Sequence, residues 1–144
     1  MEERKANIGI NVSHRDEVLF GGVTVNAWNS KWQSIGNLKT ANLTPYNKYI
    51  GLYRHKVGGK IMYVGRGNRI KQWWIRKDYR RESDSVRKHK SGKLIYENLD
   101  RITTDILIIG DSFEAVKITR LLERQFIEKF NPPWNKQKVH KSIT

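Results

Sequence analysis

There is no cysteine anywhere in the 144 residues. Disulfides, thiolate-bound zinc and iron–sulfur clusters are therefore excluded. Long apolar runs are also absent. Nowhere does the chain reach the roughly 20 apolar residues that crossing a bilayer takes, so no membrane partner is expected. The N-terminal Met1-Glu2-Glu3-Arg4-Lys5 is charged and lacks the apolar stretch of a secretion signal, so a soluble, cytoplasmic protein is expected. His14, His55, His89 and His140 show no metal-ligand spacing and read as surface residues. Acidic residues are scarce: 14 Asp and Glu stand against 28 Lys and Arg, a net charge of +14.

What is present is positive charge on a chain of single-domain length, long enough to bury a real core. Such an excess points to a polyanionic partner, because each neutralised phosphate releases counterions and strengthens binding. The charge is concentrated: residues 66–93 hold eleven basic side chains against Asp78, Glu82 and Asp84. A run like this is often only a solvated face. Here Trp73, Trp74 and Tyr79 are interleaved with it, and aromatics among cations suit nucleic acid better than bulk water. Arg66, Lys71, Trp73, Arg76, Lys77, Arg80 and Arg81 are the candidate DNA contacts. His55, close behind Tyr53, is a further one.

Along the chain, Val18-Leu19-Phe20 and Val23-Thr24-Val25 flank Gly21-Gly22 and predict a short hairpin. The following stretch with Trp28 and Trp32 has no clean period. Residues 1–46 are therefore expected to form an extension: an arm on the core, a dimer contact or a DNA-reading element. Residues 47–144 are expected to form the main domain, the whole being one compact unit. Tyr49–Tyr53 and Ile61–Gly65 are β-prone runs around the Val57-Gly58-Gly59-Lys60 turn, an antiparallel hairpin. Asn68 can cap a helix over 69–80. A short helix near 92–99, an apolar strand over Asp105–Ile109 and a helix over 114–130 follow, the last stopped by Asn131-Pro132-Pro133. The order β-β-α-(α)-β-α predicts an α+β fold with helices against a small three-stranded mixed or antiparallel sheet.

On the last helix, Ala115, Val116, Ile118, Leu122, Phe126, Ile127 and Phe130 fall in one arc at about 100° per residue. Lys117, Arg120 and Arg124, with Glu114 and Glu128, make up the opposite face. Glu123 does not join them and projects into the apolar arc. A carboxylate there is costly to desolvate unless something pairs with it. It is one half of a buried ion pair, or a glutamate that reaches out at the end of the helix, or a metal ligand or acid–base group in a cleft. A single-carboxylate Mg²⁺ site, completed by waters and a substrate phosphate, is chemically reasonable.

Gly51-Leu52-Tyr53 and Tyr63-Val64-Gly65, with tyrosines ten residues apart, resemble the two half-motifs that name the GIY-YIG endonucleases. Arg69-Ile70-Lys71-Gln72-Trp73 looks like that family's arginine on its first helix, although Trp73 stands where His or Tyr is usual. Glu123 and Asn135 resemble its metal-binding glutamate and closing asparagine. The ending Phe130-Asn131-Pro132-Pro133-Trp134-Asn135 is similar to that of the phage T4 endonuclease II group. The resemblance covers about residues 47–136.

The resemblance implies a metal-dependent endonuclease that hydrolyses phosphodiester bonds in DNA, of a phage or restriction type. A phage-encoded protein would work in the host cytoplasm. It also implies roles. Glu123 would hold one Mg²⁺ or Mn²⁺ per active site, and Arg69 would contact the phosphate, with Arg76 the alternative if the loop before the helix is longer. Tyr53 would be the general base, Tyr63 would position water or substrate, and Asn135 would order the site. Double-stranded DNA is the expected substrate, and cutting both strands would favour a homo-oligomer. The rival reading is a non-catalytic, basic nucleic-acid-binding module. HNH chemistry needs spaced histidines, and the common restriction core needs Glu-x-Lys on a strand, which the predicted strands do not carry.

Strand geometry supplies a check. If Gly58-Gly59 closed a regular two-residue hairpin, Tyr53 would lie opposite Val64 and Tyr63 would face the other side of the sheet. The tyrosines share a face only if the loop is odd or a bulge intervenes. An irregular turn is therefore expected.

Overall fold

The structure, a computed structural model, describes residues 10–12, 18–67 and 90–135, and the side chains of 18–67 and 91–135. Ile10–Val12 (β1), Val18–Phe20 (β2) and Val23–Thr24 (β3) form a small antiparallel sheet. The hairpin between β2 and β3 turns at Gly21-Gly22, as the glycine pair predicts. Val25–Asn29 (α1) follows at once, because the Thr24 hydroxyl caps it by accepting from the Ala27 amide at 3.1 Å. Trp28 on α1 donates its indole N–H to the Phe20 carbonyl at 2.8 Å, which fastens the helix to β2.

The main sheet contains Gln33–Asn37 (β4), Ile50–Val57 (β5), Lys60–Gly67 (β6) and Ile102–Gly110 (β7), in the order β4-β7-β5-β6 and antiparallel throughout. Three strands were expected, and there are four. The fourth, β4, comes from the stretch assigned to an N-terminal extension. Leu38 and Leu43 just beyond it are buried in the core. The sequence of β4, Gln33-Ser34-Ile35-Gly36-Asn37, has little apolar alternation because it is an edge strand, held mainly by its ladder to β7. The helix expected over 69–80 lies outside the described residues. Lys90–Glu97 (α2) matches the short helix expected near 92–99, and Phe113–Phe130 (α3) is the long one. α3 ends at Asn131, whose φ of 48° is left-handed, before two prolines.

Strand alternation gives the sheet two covered faces. One carries Tyr53, Tyr63, Ile102 and Ile106 beneath Leu38, Leu43, Ile95 and Leu99. The other carries Leu52, Val64 and Leu107, against which α3 lays Leu122 and Phe126, with Phe20 and Trp28 completing the cluster. Full burial of a side chain such as Phe126 contributes about 2–3 kcal/mol each. Trp32 packs edge-on against Phe126 with ring centroids 5.5 Å apart. The tryptophans near the N-terminus thus belong to this core.

Candidate active site

The tyrosines of the two half-motifs share a face, and the reason is a bulge. Gly58 and Gly59 both have positive φ, 58° and 82°, and close a two-residue turn of the kind that matches strand twist. The turn itself is regular. The irregularity comes two residues on: Lys56 pairs with Ile61 but His55 pairs with Tyr63, so Met62 is an extra residue. The slip places Tyr53 opposite Gly65 instead of Val64. The Tyr53 and Tyr63 rings then lie 6.2 Å apart on one face, both buried.

Gly65 explains part of the second half-motif. A Cβ there would stand 2.5 Å from the Tyr53 hydroxyl and ring. The phenol therefore lies directly over Gly65, on the strand that forms one edge of the sheet. Only glycine leaves that space.

Glu123 is 6 % exposed on α3. Its carboxylate accepts from the Arg66 guanidinium, whose side chain is 31 % exposed. Arg66, expected as a DNA contact, thus reaches inward to the one acid on the apolar arc. The ion pair is the arrangement that makes this burial tolerable. Asn135 sits in a short 3₁₀ turn, Pro133–Asn135, and is fully buried. Its side-chain oxygen accepts from the Val64 amide at 2.8 Å, and its amide nitrogen donates to the Val64 carbonyl at 3.0 Å. Among the described strands β6 has no neighbour on its outer side, and the Asn135 side chain takes that place.

The tyrosines and Glu123 approach β6 from opposite faces. Tyr53 covers Gly65 on one side, and Arg66, the next residue, turns to Glu123 on the other. Asn135 grips Val64 immediately before them. The candidate groups converge on the backbone of residues 63–66, around the edge of the sheet. They do not line a single cleft wall.

His55 is a correction. It was expected at the surface as a DNA contact, but it is wholly buried. Being on β5 two residues from Tyr53, it shares that residue's face. Its ring lies 5.1 Å from Tyr53 and is stacked 6.0 Å from Tyr63. Nδ1 is 2.8 Å from the Thr104 hydroxyl, while Nε2 has no partner. Burial pushes the imidazole down to about 3, so it is neutral near pH 7.

Sequence reasoning also missed a second buried acid. Asp105 on β7 pairs with Arg54 at 2.7 Å and Lys56 at 2.9 Å on the α3 face. The Arg54 guanidinium lies 4.4 Å over the Trp32 ring and 5.5 Å from that of Phe130. Alternation within β5 could have put Arg54 beside Leu52. Its partner depends on the pairing with β7, which no local pattern carries.

Arg69, Lys71, Trp73, Arg76, Lys77, Arg80 and Arg81 lie outside the described residues. Among the described residues no group of three or more His, Asp or Glu side chains is arranged to hold a metal. Among the described residues, the donor available at the Glu123 site is a single carboxylate. That suits Mg²⁺, which keeps several waters and binds through one or two carboxylates and a substrate phosphate; it does not suit a zinc cage. No described helix is long and apolar enough to cross a membrane. Compared with known protein families, curated proteins and solved structures, the chain matches none of them.

Proposed function

We propose that this chain is a metal-dependent DNA endonuclease of the GIY-YIG type. The observation that carries the reading is the crossing at Gly65-Arg66. One residue of an edge strand lies under the Tyr53 phenol, and the next holds a buried glutamate from α3. Asn135, the last residue of the resemblance, secures the same stretch of backbone.

In this reading the scissile phosphate sits at the β6 edge, where the two faces meet. Glu123 holds one Mg²⁺ or Mn²⁺. When bound, the ion supplies neutralisation of the charge that develops on the leaving oxygen. Arg66 neutralises the same carboxylate in the metal-free protein. Arg69, or Arg76 in its place, contacts the phosphate. Tyr53 takes the proton from the attacking water and Tyr63 positions that water or the substrate. A phenol ordinarily titrates near 10, so this role requires a cationic group brought close to it, such as a metal ion or an arginine at the substrate phosphate, to favour its deprotonated form. Cleavage of both strands calls for two such sites, hence a homo-oligomer on double-stranded DNA.

A non-catalytic DNA-binding module is the second reading. It is favoured by the pairing of Glu123 with Arg66, which accounts for the buried acid without any chemistry. Supercoiled plasmid separates the two. Wild type is expected to nick or linearise it with Mg²⁺ and not with EDTA, while Glu123→Ala binds DNA and does not cut. If both proteins bind and neither cuts under any metal, the binding module is the better account.

A further inference from the structure

The outer face of α3 carries a feature that the catalytic reading does not use. Phe113, Lys117, Arg120 and Arg124 are all exposed. They recur at intervals of four, three and four residues, so they fall within about 60° of one another around the helix axis. The result is a single stripe of three cations headed by an aromatic ring, about 16 Å long.

Two features of the stripe set it apart from an ordinary solvated face. Its cations are like-charged neighbours three and four residues apart, an arrangement that destabilises a helix. None of the three forms an ion pair with a described residue, whereas Arg54, Lys56 and Arg66 all do. Phe113 is the largest exposed apolar side chain described, at 73 % exposure, and the Lys117 ammonium lies 5.4 Å from its ring centroid. Glu114 and Glu128 flank the stripe on the same face, yet neither is ion-paired with its cations; three such cations beside an exposed aromatic ring are what a nucleic acid engages, with phosphates on the cations and a base or sugar at the ring.

The position of the stripe also fits. Glu123 lies roughly 60° around the helix from Arg120, so the cations begin on the flank next to the Glu123–Arg66 pair. From Lys117 to Arg124 is about 10 Å along the helix, close to the rise of three nucleotides of one strand at about 3.4 Å each.

We infer that Phe113, Lys117, Arg120 and Arg124 form a DNA-contacting surface, in which the three cations hold successive phosphates leading to the Glu123 edge. The inference rests on DNA being the partner, but it does not need the protein to cut.

The test measures binding of a short duplex in EDTA, over a range of salt, for the full chain. Each phosphate contact contributes about 0.9 to the slope of log affinity against log salt. Replacing Lys117, Arg120 and Arg124 together by Ala is expected to make the slope shallower by about two to three. Phe113→Ala is expected to weaken binding with the slope unchanged. A control that removes the same charge from exposed Lys31, Lys60 and Lys129 should keep a steeper slope than the stripe variant. All these side chains are exposed, so circular dichroism should show every variant folded.

If wild type binds and the stripe variant keeps its slope, the surface assignment is overturned while the DNA reading stands; a surface for an acidic protein would give that result. Equal losses in the stripe and control variants overturn it too, since only net charge would then matter. If wild type does not bind duplex DNA, the DNA reading itself falls, and the surface with it.

Discussion

Asn135 and Val64, 71 residues apart in the chain, exchange two hydrogen bonds in the buried interior, one in each direction. An asparagine side chain has the same donor and acceptor as a peptide unit, so it continues the ladder of an edge strand by one rung. Asn135→Ala would leave the amide and the carbonyl of Val64 without partners at a buried position. The expected cost is about 2–3 kcal/mol, read as a lower denaturation midpoint with an unchanged m-value. Asn135→Asp keeps the acceptor but turns a carboxylate oxygen toward the Val64 carbonyl at a fully buried position, so at neutral pH it should cost at least as much as Ala.

The Glu123–Arg66 pair is testable apart from catalysis. Glu123→Gln, Arg66→Gln and the double variant form a cycle in chemical denaturation. A coupling energy of about 1–3 kcal/mol is expected for a contact this sheltered, toward the lower end because the arginine is partly in water. A coupling near zero would mean that burial of the acid is balanced by something other than Arg66.

Gly65→Ala places a methyl group where the Tyr53 phenol lies, 2.5 Å from its oxygen. β5 and β6 are paired along their whole length, so the ring must move and the strands cannot. A destabilisation of about 1–3 kcal/mol is expected, and plasmid cleavage should be lost more completely than stability. A Gly65→Ala variant that cuts as well as wild type would remove Tyr53 from the proposed chemistry.

His55 makes stability depend on pH. Its folded-state value is lowered to about 3 by burial, whereas in the unfolded chain it is near 6.5. Between these values the unfolded state takes up a proton that the folded state refuses. The contribution of His55 is therefore complete above about pH 6.5 and is lost progressively as pH falls toward 3. By pH 5 the loss amounts to roughly 2 kcal/mol. His55→Leu should flatten this part of the curve when thermal unfolding is followed from pH 7 to pH 5. An unchanged slope would assign the acid sensitivity to other groups.

Several parts of the fold and site were legible in the sequence because they are written locally. Gly58-Gly59 between two β-prone runs specified the hairpin, and the helical period of Ala115 to Phe130 specified α3 and its buried face. Glu123 stood out because it interrupted that period.

Tertiary structure decided the rest. β4 has almost no pattern of its own, and only its pairing with β7 makes it a strand. The bulge at Met62 puts both tyrosines on one face, and no residue type there announces it. Arg66 and Arg54 look alike in sequence, as two cations in two strands. One neutralises Glu123 and the other Asp105, because α3 crosses one end of the sheet and β7 runs beside β5. His55 looked like a surface residue and is wholly buried. Periodicity tells a side chain which face it shares with its neighbours. What covers that face, and which charge waits there, is fixed by contacts between residues some 50 to 70 positions apart, where local sequence carries no signal.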